Sequence, residues 1–297
     1  MVGVGRFNEG QFTLAQYFLR HPGEEAALLA ALTRFMSPVD AIVSYNGKSF
    51  DIPLLRTRYT LQGLTFPLEN VAHFDLLALA RRLWRDRLPS CNLSTIENQI
   101  LGVFREDEEV PGYAIPELYT EYLRWGDAHP MAGIFYHNAI DILSLTSLFA
   151  HASDMLGTPF ENQPDEAVDV AAIGKLYQSL GDPETAMVLF EQSLQADLPE
   201  DIYWNTLERA ASILKRQGDF ASAVKLWEKA AQAGRLNACE ELAKVYEHRE
   251  RDYPTAIKWT EHALTSLADS TLLPHQCLIW QHSLTHRLAR LQRKLAG

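Results

Sequence analysis

The hydrophobic pattern of the chain changes at residues 157–165, and this change constrains the fold more than any other feature. Before it, short apolar runs typical of strands alternate with amphipathic helical patterns, whereas only helical patterns follow it. The segment GTPFENQPDE contains glycine, proline and asparagine, which interrupt helices. At 297 residues the chain also exceeds the usual length of one domain. We therefore predict an α/β domain at residues 1–157 and an all-α domain at residues 166–297.

In the α/β part, an acidic residue stands where an apolar strand gives way to a helix. Residues 41–43 (Ala-Ile-Val) predict a short buried strand, Asn46 and Gly47 a turn, and Pro53 the first turn of a helix. Asp51 then lies at the carboxyl end of a strand, where open α/β sheets bind ligands. Alternatively, Asp51 only caps the helix, because Asp is a favoured N-cap residue.

A second polar pair lies in a later apolar helix. His137 and Asp141 are four residues apart, so both side chains project from one face of that helix. Polar groups on an otherwise apolar helix need a partner. A divalent metal shared with Asp51 is one possibility; a hydrogen-bonded core histidine with a capping aspartate is the other.

The segments that carry these residues resemble motifs of a nuclease superfamily. VSYNGKSFDIPLL (43–55) is similar to the second motif of the DEDD (DnaQ-like) 3′–5′ exonucleases, and HNAIDILSL (137–145) to their third, both on a ribonuclease H-like fold. A bacterial subgroup, the YprB-type proteins, is more similar still through HFDLLALARRLW, SCNLSTIE, VPG and a tetratricopeptide tail. Together these segments span nearly the whole sequence.

The resemblance implies a two-metal centre in which carboxylates hold Mg²⁺ or Mn²⁺ for phosphodiester hydrolysis. By position, Asp51 and Asp141 would be metal ligands and His137 the general base. The spacing of His137 departs from the motif, which has Tyr four residues or His five residues before the Asp. The expected substrate-binding residues are Asn46, Lys48, Asn138, Arg81, Arg82 and Arg85. For the asparagines the alternative is a local hydrogen bond, and for the arginines a solvated helix face.

The first motif of that superfamily, an Asp-x-Glu on the central strand, is absent from the sequence. Residues 1–7 resemble the strand that normally follows it, and Asn8, Glu9 and Gly10 predict a turn to the next strand. We therefore expect a ribonuclease H-like mixed sheet without its first strand, and an incomplete metal site. Either the reading frame is truncated at its start or the chain has lost the site.

The amino-acid composition limits which binding partners and which cellular compartment we expect. The formal net charge is −11, so a polyanion would need a local basic surface such as the arginines above. No stretch approaches the roughly 18 apolar residues of a membrane span, and the three cysteines form no CxxC motif. We expect a cytoplasmic protein without a membrane partner. Asp75 is expected to cap a helix, with support of the neighbouring site as the alternative, and the acidic run 106–109 is expected to form an exposed loop.

The helical part has an internal period. Its first copy follows the tetratricopeptide pattern at Val170, Ile173, Gly174, Tyr177, Ala186 and Phe190. Alanines 186, 223 and 256 are separated by 37 and 33 residues, close to the period of about 34. Small residues at these three positions favour close packing between helices. At residues 284–295, a stripe of leucines with basic residues outside it predicts a polar capping helix.

These patterns together predict a nuclease domain whose activity on DNA or RNA is expected of the full-length form, joined to an array that binds a protein partner. The alternative is a non-catalytic scaffold in which the α/β part is an inert platform and the repeats do the binding.

Overall fold

The computed structural model describes residues 1–105, 110–268, 270 and 272–296, so the predicted acidic loop at 106–109 lies outside the described residues. The chain forms two compact units, Met1–Gln163 and Pro164–Gly297. Within the described residues, no helix is both long and apolar enough to cross a membrane.

The first unit alternates strands and helices. Its strands are β1 (Val2–Asn8), β2 (Gln11–Tyr17), β3 (Ala41–Ser44) and β4 (Ala72–Asp75). Its helices are α1 (Glu25–Met36), α2 (Asp51–Leu61), α3 (Leu76–Trp84), α4 (Leu93–Ile96), α5 (Ile115–Trp125) and α6 (Ala132–Gly157). A π-helical segment, Glu97–Leu101, continues α4, and short 3₁₀ turns at Pro22–Glu24 and His129–Met131 precede α1 and α6.

The strands form two separate ladders instead of the single mixed sheet that the sequence predicted. β1 pairs with β2 in antiparallel register, and β3 pairs with β4 in parallel register. The predicted turn between β1 and β2 is confirmed: Glu9 and Gly10 both have positive φ, at 48° and 79°, as a two-residue hairpin turn requires. Both strand orientations of the predicted sheet are present, but no hydrogen bonds join the two ladders in the described residues.

One apolar core connects both ladders through the helices. Its buried residues come mainly from α1, α2 and the segment after α2: Leu29, Leu32, Met36, Tyr59, Phe66 and Leu68. Val2 and Val4 of β1 and Ile42 of β3 pack against this same cluster. The apolar face of α1 therefore places the two ladders in one unit.

Helix α6 lies directly against β1 because glycines leave room for it. A Cβ atom added at Gly3 would lie 2.1 Å from Asn138 Oδ1 and 2.6 Å from Ile142 Cδ1, distances that no real contact allows. At Gly5 it would lie 2.4 Å from the ring of Phe12. Gly3 and Gly5 thus allow α6 and Phe12 to approach the strand closely.

The second unit consists of helices in the described residues: α7 (Ala167–Leu180), α8 (Pro183–Leu194), α9 (Glu200–Gln217), α10 (Phe220–Gln232), α11 (Leu236–Val245), α12 (Tyr253–Ala268) and α13 (Pro274–Ala296). Consecutive helices pack on each other, α7 on α8, α9 on α10 and α11 on α12. Asp182, Asp219 and Asp252 recur before the second helix of each pair and accept backbone N–H bonds from residues three positions on. The predicted alanines 186, 223 and 256 are fully buried.

The last helix departs from its prediction. Leu284 and Leu291 are buried, but Leu295 is 53% exposed, so the apolar stripe does not extend to the end of α13. Basic residues expected on the outside instead converge on Glu247 of a second π-helical segment, Tyr246–Glu250. Arg287, Arg290 and Lys294 all pair with this carboxylate, whose side chain is inaccessible to solvent. A buried carboxylate needs such partners, and this requirement draws the basic face inward.

Candidate functional site

Asp75 organises the loop at the carboxyl ends of β3 and β4. Its Oδ1 accepts N–H bonds from Asn46 at 2.8 Å and Leu77 at 3.2 Å, and its Oδ2 accepts one from Lys48 at 3.1 Å. The predicted helix-capping role of Asp75 is therefore confirmed, because Leu77 lies in the first turn of α3. The same carboxylate fixes the loop that begins at Asn46, whose φ of 63° is left-handed.

Asp51 lies beside this loop as the first residue of α2. The N-cap position belongs to Phe50, and no side chain caps the helix, so the capping interpretation of Asp51 is wrong. A Cβ atom at Gly47 would lie 3.4 Å from Asp51 Oδ2, which places the carboxylate against the loop. Desolvation raises the pKa of Asp51 above its ordinary value, and the negative charge of Asp75 adds to this effect. Asp51 is thus a carboxylate at the strand ends that caps no helix.

A serine and a histidine lie under the same loop, and sequence reasoning did not single them out. Ser44 Oγ and His73 Nε2 are 2.7 Å apart, on adjacent strands of the parallel ladder. Burial lowers the pKa of His73, and the nearby charge of Lys48 lowers it further. The pair fills the space that Gly47 leaves, since a Cβ there would lie 2.4 Å from Ser44 Oγ. Alternation along two paired strands was the only available signal for this contact.

Asp141 belongs to a second cluster, which is built around Arg105. The Nη2 atom of Arg105 donates to Asp141 Oδ1 at 2.5 Å and to Glu97 Oε1 at 2.7 Å. Its Nε donates to Glu97 Oε2 at 2.9 Å, and its Nη1 lies 3.5 Å from His137 Nδ1. Burial would lower the pKa of Arg105, but the hydrogen bonds to Glu97 and Asp141 outweigh it and raise that pKa. The guanidinium is therefore a permanent charge beside Asp141.

Solvent exposure within this cluster rises from Glu97 towards Asp141. The side chain of Glu97 is 1% exposed, that of Arg105 is 12% exposed and that of Asp141 is 46% exposed. Glu97 is the last residue of the SCNLSTIE motif, so this motif could have pointed to Glu97 from the sequence. No feature of the sequence pointed to Arg105 beyond its charge. His137 and Asp141 share one face of α6, as their spacing predicted.

The remaining candidate residues divide between internal contacts and the surface. Asn138 Oδ1 accepts a hydrogen bond from Gln16 Nε2 at 3.0 Å, so this amide holds α6 to β2. Asn46 and Lys48 meet Asp75 through their backbone N–H groups. At the end of α3, Arg81, Arg82 and Arg85 are exposed while the neighbouring Leu83 and Trp84 are buried. Arg81 lies close enough to Tyr45, which precedes the loop of Asp51, to influence its pKa electrostatically.

The described residues do not fit a two-ion metal centre. No group of three or more His, Cys, Asp or Glu side chains is gathered among them in a way that would hold a metal. The oxygens of Asp75 accept backbone N–H bonds, and Asp141 is paired with Arg105. Asp51 lies against the loop at the strand ends, and Asp141, on α6, is paired with Arg105.

Comparison with known proteins assigns the first unit to a protein superfamily. The RNase_H superfamily matches residues 1–153. The protein named "Uncharacterized protein YprB" from Bacillus subtilis (strain 168) is 33% identical over 307 aligned residues, which cover 100% of this chain and 70% of that protein. No solved structure matches the chain significantly. On the family match and on this relative, which aligns with the whole chain, the chain belongs to the RNase_H superfamily.

Proposed function

We propose that the first unit is a nuclease domain that hydrolyses phosphodiester bonds in DNA or RNA, working from a 3′ end. Membership in the RNase_H superfamily suggests nuclease activity, and this membership is the observation that carries the proposal. The resemblance of residues 43–55 and 137–145 to the second and third DEDD motifs supports the exonuclease type. The position of Asp51 at the ends of two parallel strands agrees with where such sheets bind ligands.

Within this proposal, Asp51 and Asp141 would hold Mg²⁺ or Mn²⁺, which would supply an activated water, and His137 would accept a proton from that water. Hard divalent cations prefer carboxylate oxygens, which favours these two aspartates. The described residues supply too few open carboxylates for two ions, so further ligands are required. The exposed arginines can each donate two parallel hydrogen bonds to a phosphate group. The proposed substrate-binding residues are Asn46, Lys48, Asn138, Arg81, Arg82 and Arg85.

The second unit is proposed to be a tetratricopeptide array that binds a protein partner. Its successive helix pairs, buried alanines and recurring capping aspartates are features of such arrays. One observation favours the second candidate, a non-catalytic scaffold: the carboxylate of Asp141 is already paired with Arg105. In that case the repeats would provide the whole function.

A cleavage assay on end-labelled single strands of DNA and RNA with Mn²⁺ tests the nuclease proposal. Asp51→Asn and Asp141→Asn should each lower the rate by at least about a hundredfold, because each removes a metal ligand. Asp154→Asn is the matched control, since Asp154 is exposed on the same helix as Asp141. A substrate blocked at its 3′ end should resist cleavage.

Two results would reject parts of this proposal. Equal rates for the wild type and both aspartate variants would remove the assigned site. Cleavage of the blocked substrate at an unchanged rate would remove the exonuclease assignment while leaving a nuclease in place.

A further inference from the structure

The positive charge that faces Asp141 in the structure comes from the protein itself. The guanidinium of Arg105 lies 2.5 Å from Asp141 Oδ1 and is held from its other side by Glu97, at 2.7 and 2.9 Å. Glu97 is almost completely buried, so it cannot rely on water to balance its charge. Arg105 is therefore fixed in place by an interaction that does not involve Asp141.

We propose that Arg105 competes with a divalent cation for the carboxylate of Asp141 and so limits metal binding at this residue. The inference rests on the proposed function, in which Asp141 is a metal ligand. An arginine in a protein does not lose its proton, so it cannot yield to the cation by becoming neutral. A divalent ion that reaches Asp141 must either displace the guanidinium or bind beside it against repulsion.

Arg105 is held more firmly by Glu97 than by Asp141, and this difference determines which residue moves when a cation binds. Among the described residues, Arg105 donates two hydrogen bonds to the buried Glu97 and one to the half-exposed Asp141. Rotation of Asp141 towards solvent breaks its bond to Arg105 and leaves the buried pair of Arg105 and Glu97 intact. Asp141 is thus the movable partner, and Arg105 is a positioning residue that retains it on the protein side.

Mn²⁺ binding to the full chain, followed by the electron paramagnetic resonance signal of the free ion, tests the competition without an activity assay. Arg105→Gln should bind Mn²⁺ at least about tenfold more tightly than the wild type, the order expected when one charge near a divalent ion is removed in a watery setting. The gain should disappear in Arg105→Gln/Asp141→Asn, because the ion would then have lost its ligand.

A second variant covers the case in which Arg105→Gln fails to fold because Glu97 is left unpaired. Glu97→Gln/Arg105→Gln removes both charges and keeps a neutral hydrogen-bonding pair, and it should still bind Mn²⁺ more tightly than the wild type. The matched control is Glu25→Gln/Arg58→Gln. This pair is also bidentate, at 2.5 Å, and lies in the same unit, yet it does not contact Asp141. Its affinity for Mn²⁺ should equal that of the wild type.

The proposal is overturned if neither Arg105 variant binds Mn²⁺ more tightly than the wild type. It is also overturned if the control gains as much, or if Asp141→Asn leaves the gain intact. These outcomes are separable from a failure of the proposed function. An Asp141-dependent gain in affinity without any nuclease activity would retain the competition and reject the nuclease, whereas metal-dependent cleavage with unchanged affinity would do the reverse.

Discussion

Glu247 gives the second unit a pH-dependent attachment of its last helix. The side chain is inaccessible to solvent and pairs with Arg290 at 2.8 Å, Lys294 at 2.9 Å and Arg287 at 3.0 Å. Burial alone would raise the pKa of Glu247, but the bonds from Arg290 and Lys294 outweigh it and lower the pKa from 4.5 to about 2. The carboxylate therefore holds α13 against the π-helical segment Tyr246–Glu250.

This pKa sets the magnitude of the effect. A decrease from 4.5 to about 2 corresponds to about 3 kcal/mol of stability in favour of the charged form. Because the pKa is lowered in the folded state, the contribution is fully present above pH 4.5. It is lost as the pH falls from about 4.5 towards 2. Glu247→Gln resembles the protonated side chain, so at neutral pH it should destabilise the attachment of α13 by about 3 kcal/mol.

Amide hydrogen exchange in α13 measures this loss locally, which matters because a chain of two units need not unfold in one step. Glu250→Gln is the matched control, since Glu250 lies in the same segment and its pair with Arg249 is about half exposed. An exposed pair contributes about 0–1 kcal/mol, so the control should exchange nearly as the wild type does.

Hydrogen exchange measured at low pH can refute this prediction. The difference in protection between wild type and Glu247→Gln should stay constant from pH 7 to about 4.5 and shrink from there towards pH 3, because the carboxylate of the detached state becomes protonated below 4.5 while that of the attached state has a pKa of about 2. A difference that stays constant from pH 4.5 down to pH 3, or a Glu247→Gln variant no less protected than Glu250→Gln, would show that the ion cluster does not hold the helix.

Two further predictions concern glycines at close contacts. Gly3→Ala should destabilise the first unit by about 1–3 kcal/mol in urea unfolding, because its Cβ would overlap Asn138 and Ile142. Gly157→Ala, at a position with nothing within 4 Å, is its control, and equal stability of the two variants would contradict the packing argument. Gly174→Ala should cost a similar amount in the second unit, since its Cβ would lie 2.6 Å from the ring of Phe190. Gly174→Ala should cost less stability in a Phe190→Leu background than in the wild type, because the smaller side chain relieves the overlap. Equal costs in the two backgrounds would argue against direct overlap.

Local patterns in the sequence predicted the elements and several contacts, because these depend on periodicity. The strand, turn and helix around Asp51, the hairpin at Glu9 and Gly10, and the shared face of His137 and Asp141 all follow from spacings of a few residues. The RNase H-like domain and the helical region after it were also predicted from motifs and pattern. The tetratricopeptide identity and the roles of the site residues stay predictions.

The errors concerned one helix boundary and contacts between residues far apart in the sequence. Asp51 does not cap α2, because the helix begins at Asp51 itself and Phe50 is the N-cap residue. Strand pairing depends on which edges meet, and no local pattern indicated two ladders instead of one sheet. Arg105 is 36 residues from Asp141, and Glu97 lies in a π-helical segment, where the usual helical spacing of faces does not apply. Neither contact was accessible to periodicity arguments.

The two faces of α6 explain why packing and charge in the first unit can be studied separately. Asn138 and Ile142 contact β1, while His137 and Asp141, one position earlier in each case, are turned towards Arg105. Adjacent residues of a helix differ in direction by about 100°, so the two pairs form neighbouring stripes on one rigid element. Gly3→Ala therefore pushes on the stripe that carries no charge, and it moves Asp141 only by moving the whole helix. The variants of Glu97 and Arg105 change the charge beside Asp141 and leave the contact with β1 in place, so a change in Mn²⁺ affinity in those variants reports electrostatics and not a displaced helix.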